Sequence, residues 1–175
     1  MKITAIETFK VRTIGRMPWL FCAIRTDEGI TGYSEFGSGA LHMGITGLVG
    51  DLGRRLIGQD PLPVDKLYMD MYRWTRSESG GATAMAIAGI ELALWDIKGK
   101  VLGVPIYQLL GGPVRTHVPL YTHPGTGTID EIVASALRMT EEGFASTKTD
   151  PFAKQNEAGR GFVGADRVER LSRRS

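Results

Sequence analysis

Residues 83–102, TAMAIAGIELALWDIKGKVL, are the stretch that decides how this chain folds. Apolar residues recur there at three- and four-residue spacing, which predicts a long helix with one buried stripe. The stripe consists of Ile87, Ile90, Leu94, Ile97 and Val101. Gly103 is expected to end this helix, and Pro105 to begin a short helical turn through Leu110. Because residues 111–113, Gly-Gly-Pro, then break the chain, we predict a first domain over residues 1–116 and a second over residues 117–175.

Upstream of the long helix, the first third of the chain predicts a three-stranded antiparallel meander over residues 2–12, 19–26 and 30–36. The first strand alternates imperfectly, and its predicted inner face carries Ile3, Ala5, Phe9 and Val11. The second strand is apolar on both sides, which is typical of a central strand. Asp27-Glu28-Gly29 predicts a tight turn with the glycine at the position that needs a positive φ.

Two amphipathic helices are predicted between the meander and the long helix. In the first, apolar residues recur at three- and four-residue spacing from Ile45 to Leu56, and the second spans residues 64–75. Gly58 stops the first, and the second places Leu67, Met71 and Trp74 on one side. Large aromatic side chains stabilise a core most when they are buried, so the three tryptophans, Trp19, Trp74 and Trp95, are expected there. The meander and these helices together predict an α+β domain in which a helical bundle covers the sheet.

A different pattern begins at residue 117. Residues 117–122 and 144–149 predict short strands, and residues 128–142 predict the helix between them, opened by Thr128 and Glu131 at capping-box spacing. Strand, helix and strand at this spacing form a βαβ unit with parallel strands. Two parallel strands need cover on both faces, so we expect this unit to need further elements beside it.

Composition excludes several classes of function. The chain is 42% hydrophobic and 23% charged with a net charge of +2, and its basic residues are dispersed, which argues against nucleic-acid binding. The single cysteine, Cys22, excludes an internal disulfide and a thiolate-cluster metal site. No run approaches the ~18 apolar residues of a membrane span, and the N-terminus lacks the apolar segment of a signal peptide. We therefore expect a cytoplasmic protein with no membrane partner.

Three motifs in order carry a resemblance to a known family. They are TDEGITGYSE at residues 26–35, GIELALWDIKGK at residues 89–100 and VPIYQLLGG at residues 104–112. Each resembles a family motif, so the chain is identified as a member of the mandelate racemase/muconate lactonizing enzyme family of the enolase superfamily, nearest to its sugar-acid dehydratases. The resemblance covers residues 1–150. It implies that residues 1–116 are the N-terminal capping domain and residues 117–175 an incomplete, apparently truncated start of a (β/α)8 barrel.

The resemblance also implies a cofactor and a reaction. Family members use Mg²⁺, held by carboxylates on the third, fourth and fifth barrel strands, while they remove the proton α to a substrate carboxylate. Residues 117–175 are 59 of the ~250 residues that a complete barrel takes. We therefore expect this chain alone to bind no metal and to be inactive. Glu35 and Glu91 match framework positions of the family's capping domain and are expected to be structural.

Lys148 and Asp150 are the predicted catalytic residues. Lys148 lies near the carboxyl end of the second predicted barrel strand, the face on which barrel active sites form, and resembles the first lysine of the family's K-x-K base motif. It could act as a base or as an electrostatic partner. The second lysine is replaced by Asp150, which disfavours a two-lysine racemase and favours a dehydratase. Asp150 could hold Lys148, orient substrate, or only open the turn before Pro151.

Four further residues are predicted to bind substrate. Tyr121 and His123 end the first predicted barrel strand and could meet a substrate hydroxyl, while Arg16 and His42 lie on loops that match the family's capping loops. A guanidinium pairs bidentately with a carboxylate, so Arg16 suits a small carboxylate-bearing sugar acid. The alternative for these loop residues is that they are solvent-exposed and bind no substrate.

The sequence thus predicts part of an acid-sugar dehydratase, expected to be a homo-oligomer. A racemase, epimerase or cycloisomerase of the same family is the alternative within the class, and a non-catalytic capping-domain fragment is the alternative outside it.

Overall fold

The computed structural model describes residues 1–12, 18–38, 44–78, 80–125 and 127–149. Three of the predicted site residues, Arg16, His42 and Asp150, lie outside these ranges. The chain folds as two compact units, one over Met1–Val114 and one that begins at Arg115.

The first unit contains the predicted antiparallel meander. Strands β1 (Ile3–Val11), β2 (Trp19–Thr26) and β3 (Thr31–Ser38) form one sheet in the order β1-β2-β3. The turn between β2 and β3 is the predicted one: Gly29 has φ +79°, and its N–H donates to the Thr26 carbonyl at 3.2 Å. The Thr26 hydroxyl also donates to the Ile30 carbonyl at 2.8 Å, which closes the turn.

The inner face of β1 differs from the prediction. Ile3 is buried as predicted, but a register shift between Ile3 and Ala5 changes which of the later residues face inward, so Ile6 packs against the core. Phe9 and Val11 are instead 42% and 41% exposed. A β-bulge exchanges the two faces of a strand, and simple alternation cannot reveal it.

The outer face of the sheet carries the displaced aromatic residues. Phe9 lies opposite Phe21 across β1 and β2 with ring centroids 5.5 Å apart, and Trp19 lies 6.5 Å from Phe21. Trp19 is 44% exposed, so its predicted place in the core is wrong. Val11, opposite Trp19, completes a small apolar surface at this end of the sheet.

Helices cover the other face. They are α1 (Ile45–Leu56), α2 (Val64–Trp74), α3 (Gly81–Leu102) and α4 (Ile106–Leu109), with a 3₁₀ turn at Arg76–Glu78. The predicted stripe on α3 is confirmed except at its end, because Ile87, Ile90, Leu94 and Ile97 are buried whereas Val101 is 37% exposed. Gly103 ends α3 in the left-handed conformation, as predicted.

Of the other two tryptophans, Trp95 packs against the core and Trp74 does not. Trp74, at the end of α2, is 36% exposed, so its predicted burial is wrong; Leu67 and Met71 of the same helix are fully buried. Trp95 is half-buried against the core, and its indole N–H donates to the Glu91 carboxylate at 2.7 Å. The amphipathic indole is satisfied at the edge of a core.

Strand β3 and helix α3 approach each other closely because glycines line the contact. A Cβ added at Gly32 would lie 2.1 Å from the Ala93 carbonyl oxygen, and one at Gly89 would lie 2.6 Å from the Phe36 Cβ. The Ser34 hydroxyl donates to the Gly89 carbonyl within this contact. No side chain larger than hydrogen fits at either glycine without movement.

An ion pair fixes the same contact at its far end. The Lys100 ammonium donates to the Asp96 carboxylate at 2.6 Å and to the Thr31 carbonyl at 2.7 Å. The Asp96 carboxylate accepts the Tyr33 backbone N–H at 2.8 Å. Asp96 and Lys100, both within the motif at 89–100, therefore join α3 to the edge strand β3.

The second unit contains helix α5 (Ile129–Glu141), opened by the predicted capping box. The Glu131 N–H donates to the Thr128 hydroxyl at 3.3 Å, and the Thr128 N–H donates to the Glu131 carboxylate at 2.8 Å. No residue of α5 is buried, and its apolar residues Ile129, Val133 and Leu137 are 51–80% exposed.

The two predicted strands of this unit are much shorter than expected. Instead of strands over 117–122 and 144–149, the described residues show one isolated parallel bridge between Thr122 and Thr147. The predicted parallel direction is confirmed there, but the ladder does not extend. Parallel strands are stable only when both faces are covered, and within the described ranges neither segment contributes a residue to the hydrophobic core.

Candidate active site at the parallel bridge

Lys148 lies beside the predicted substrate-binding segment. Its backbone N–H donates to the Thr122 carbonyl at 2.8 Å, and the Thr122 N–H donates to the Ser146 carbonyl at 3.3 Å. Thr122 stands between Tyr121 and His123, so the bridge brings Lys148 next to two residues that precede it by 27 and 25 positions. The adjacency follows from the βαβ order, in which the crossover helix returns the chain to a parallel neighbour.

Strand alternation predicts which side chains lie on the same side of the bridge. Paired residues of neighbouring strands share a face, so Thr122 and Thr147 share one, and the residues that flank them point to the other. Tyr121, His123 and Lys148 are such flanking residues. The rings of Tyr121 and His123 meet edge to face with centroids 5.7 Å apart. All three side chains are exposed.

This group has the chemistry of a proton-transfer site. An amine can accept a proton, an imidazole can accept or donate one, and a phenol can donate a hydrogen bond to a substrate oxygen. Exposure gives a substrate access from the side on which the three side chains lie. The roles predicted for these residues stay predictions.

The two loops that carry Arg16 and His42 leave the same end of the sheet in the first unit. Val11 at the end of β1 pairs with Trp19 at the start of β2, and Trp19 pairs with Ser38 at the end of β3. The loop between β1 and β2 and the segment after β3 therefore start from neighbouring positions.

The described residues do not fit a magnesium site, because they contain no group of three or more His, Cys, Asp or Glu side chains placed to hold a metal ion. A magnesium ion takes oxygen ligands, often one or two carboxylates with waters or substrate. Of the framework carboxylates, Glu91 accepts the Trp95 indole N–H and Glu35 is exposed on the outer face of the sheet. No helix within the described ranges is long and apolar enough to cross a bilayer.

Cys22 is a buried free thiol. Its thiol is fully buried on the inner face of β2, and this burial raises the pKa of Cys22 to about 12. A thiol that stays protonated at neutral pH is a poor nucleophile and a poor metal ligand.

Sequence reasoning missed a second polar region of the first unit. The Arg55 guanidinium stacks over the Trp74 ring at 5.2 Å beside a cavity near the first turn of α3. The two residues are 19 positions apart on different helices. No periodicity within either helix signals that they meet.

A three-stranded meander with one face covered by helices defines the class of the first unit: it is the N-terminal capping domain of an enolase-superfamily chain. Residues 4–111 match the N-terminal domain of the mandelate racemase/muconate lactonizing enzyme family. The chain belongs to this family. The match covers the sheet and the four helices of the first unit.

The curated relatives that match this chain include D-galactonate dehydratases. A D-galactonate dehydratase from Pectobacterium atrosepticum is 42% identical over 150 residues, which cover 85% of this chain and 38% of that protein. The chain thus spans about two fifths of that relative's length.

Solved structures agree on the fold. A candidate dehydratase from Mesorhizobium loti is 35% identical with a TM-score of 0.81, over 99% of this chain and 48% of that one. A candidate L-alanine-DL-glutamate epimerase from Burkholderia xenovorans, solved with magnesium and fumarate, is 32% identical with a TM-score of 0.80, over 89% of this chain and 42% of that one.

Proposed function

We propose that this chain is the N-terminal part of a Mg²⁺-dependent acid-sugar dehydratase. The observation that carries the proposal is the placement of Lys148 against Thr122, between Tyr121 and His123, in a chain 42% identical to a D-galactonate dehydratase. The proposed substrate is a small sugar acid that carries a hydroxyl next to the carbon bearing the α-proton.

In the proposed reaction, Lys148 acts on the α-proton. The neutral amine accepts the proton from the carbon next to the carboxylate, and the electron pair of that bond moves toward the carboxylate. The hydroxyl on the neighbouring carbon then leaves as water, after it gains a proton from an acid such as His123. The resulting enol gives a 2-keto-3-deoxy acid when it takes up a proton at carbon. A positioned acid or base of this kind contributes about 10²–10⁴ in rate.

The remaining predicted residues bind and orient the substrate. Tyr121 hydrogen-bonds a substrate hydroxyl, Arg16 pairs with the carboxylate, and His42 contacts the polyol from the second capping loop. Asp150 holds the Lys148 ammonium or orients the substrate. Loops of this kind hold binding residues over a rigid scaffold.

Magnesium is proposed only for a longer polypeptide, with its ligands on later barrel strands. Its charge would stabilise the extra negative charge of the deprotonated acid. For the 175-residue chain by itself we propose no turnover. A cytoplasmic location and a homo-oligomeric parent enzyme complete the proposal.

An epimerase is the second candidate, because the Burkholderia xenovorans neighbour is a candidate epimerase. Such an enzyme returns the proton to the opposite face of the same carbon and releases no water. The family's two-lysine racemases have a second lysine at the position of Asp150, and the acidic residue in its place disfavours this path.

A chimera tests the proposal. Residues 1–149 of this chain would replace the aligned segment of the Pectobacterium atrosepticum D-galactonate dehydratase, and the product would be assayed with Mg²⁺ on a panel of sugar acids. We expect a 2-keto-3-deoxy acid as product. Recovery of only the C2 epimer would favour the second candidate and reject dehydration.

Substitutions in the chimera test the role of Lys148. Lys148→Met should lower kcat by at least about 100-fold, as expected for loss of a proton-transfer group. The matched control is Lys10→Met, the same change on an exposed residue of β1, and it should leave kcat unchanged. Equal rates for Lys148→Met and the parent chimera would remove Lys148 from the reaction.

A further inference from the structure

A cavity of about 520 Å³ lies in the first unit between α1, the end of α2 and the first turn of α3. Its lining includes the basic residues Arg54 and Arg55, the aromatic Trp74 and the hydroxyl-bearing Ser77 and Thr83. The acidic residues Asp51 and Glu78 also line it. None of these seven residues has a role in the proposed reaction.

Of the two arginines that line this cavity, Arg55 contacts an aromatic ring but has no acidic partner among the described residues. Its guanidinium carbon lies over the Trp74 ring, 5.2 Å from the ring centroid, and this cation–π contact uses none of its N–H groups as hydrogen-bond donors to a charged partner. Among the described residues Arg55 forms no ion pair, whereas Arg54 pairs with Asp51. The edge of the Arg55 guanidinium is therefore open to an acceptor.

The first turn of α3 supplies a second group of donors. The helix begins after Gly80, which provides no side-chain cap, and its first intrahelical bond runs from the Ala84 N–H to the Gly80 carbonyl at 2.8 Å. The N–H groups of residues 81–83 precede that bond. Such N–H groups, with the positive end of the helix dipole, favour an anion.

The buried hydroxyl of Thr83 is the feature of this cavity that indicates a ligand. Its side chain lines the cavity and is only 7% exposed, yet within the described part of the chain its hydroxyl has no hydrogen-bond partner. A buried hydroxyl without a partner costs about 1–3 kcal/mol in proteins, so such groups usually meet an acceptor. Thr83 and Arg55 line the same cavity.

We propose that this cavity is a binding site for a small oxyanion, a phosphate or a carboxylate group. The Arg55 guanidinium and the Thr83 hydroxyl bind its oxygens, and the N–H groups at the start of α3 complete the donor set. Asp51 is neutralised by Arg54, which leaves Glu78 as the one unpaired carboxylate among the described lining residues, and its charge weakens the site. The site is separate from the proposed catalytic group and does not depend on it.

Calorimetric titration of the 175-residue chain tests this site, with inorganic phosphate in one arm and succinate in the other, at constant ionic strength. Arg55→Gln should weaken binding at least about ten-fold, because a charged hydrogen-bond donor is lost. Thr83→Val, which keeps the shape and removes the hydroxyl, should also weaken it. Glu78→Gln should tighten binding several-fold, an effect that a purely structural role of these residues does not produce.

Arg25→Gln is the matched control, since it removes the same charge from the outer face of the sheet and should leave affinity unchanged. Each variant is first compared with the parent by thermal melting, and Glu78→Gln keeps the test valid if Thr83→Val fails to fold. The site is supported if phosphate, succinate or both bind saturably, more weakly to Arg55→Gln and Thr83→Val than to the parent and more tightly to Glu78→Gln. The anion that binds more tightly then shows whether the site prefers a phosphate or a carboxylate. Absence of saturable binding in both arms up to about 50 mM, or equal affinity of Arg55→Gln and the parent, overturns it.

Discussion

Substitution of Gly32 by alanine should strongly destabilise the first unit. The added Cβ would lie 2.1 Å from the Ala93 carbonyl oxygen and 2.7 Å from the Ile97 side chain, whereas ordinary contacts begin at 3.4 Å. The carbonyl belongs to the backbone of α3, so relief requires β3 and α3 to separate by about an ångström. Overpacking of a well-packed core typically costs 1–3 kcal/mol, and a clash with backbone lies at the upper end, about 3 kcal/mol.

The assay is urea unfolding of the 175-residue chain, followed by circular dichroism and by tryptophan fluorescence. Gly50→Ala is the matched control, since Gly50 lies within α1 and an added Cβ there meets nothing within 4 Å. That variant should gain about 0.5–1 kcal/mol from helix propensity. A free energy of unfolding for Gly32→Ala within about 0.5 kcal/mol of the parent would refute the argument that glycine is required at this contact.

Three further outcomes follow from the structure. Cys22, whose pKa burial raises to about 12, should stay unreactive toward a thiol reagent at pH 8 in the folded protein and react once urea unfolds it; rapid reaction of the native chain would contradict its burial. Thr128→Ala should lower the stability of α5 by about 1 kcal/mol through loss of the cap, seen as faster amide exchange in that helix and not in α3. The hydrogen bonds from Thr128 lower the pKa of Glu131, so the stabilisation from Glu131 is present above its ordinary pKa of about 4.3 and is lost as pH falls through the lower folded value. Glu131→Gln should remove that acid-dependent loss of α5 helicity. If the helicity of this variant fell with pH as it does in the parent, the role given to Glu131 would be contradicted.

Local signals allowed much of the fold to be predicted. The turn at Gly29, the left-handed glycine that ends α3 and the capping box of α5 each depend on one to four consecutive residues. Each is fixed by backbone conformation or by one short-range hydrogen bond. The family motifs added the order of the elements, which no local signal contains.

The errors concern properties that depend on tertiary contacts. The shift between Ile3 and Ala5 belongs to the pairing of β1 with β2, so alternation within β1 alone assigned Phe9 and Val11 to the wrong face. Trp74 is placed by the Arg55 guanidinium, which is distant in sequence. Side-chain burial depends on which neighbours arrive, and propensity does not specify them.

The candidate site was predicted in part. The βαβ pattern brought the Lys148 segment next to Thr122, which the parallel bridge confirms, although the strands themselves are short. Substrate binding and the roles of the side chains could not be predicted from these two segments, because both depend on other parts of the fold. The donor set around Thr83 was not predicted, because an unsatisfied hydroxyl is visible only once its surroundings are known.

Magnesium titration of the purified 175-residue chain tests most directly the claim that this polypeptide supplies the cap and the lysine but not the metal ligands. Calorimetry, with Mn²⁺ as a paramagnetic substitute in a parallel sample, would measure the affinity. The account predicts no saturable site, with or without D-galactonate. A single site of micromolar affinity that is lost on substitution of the chain's own carboxylates would contradict it.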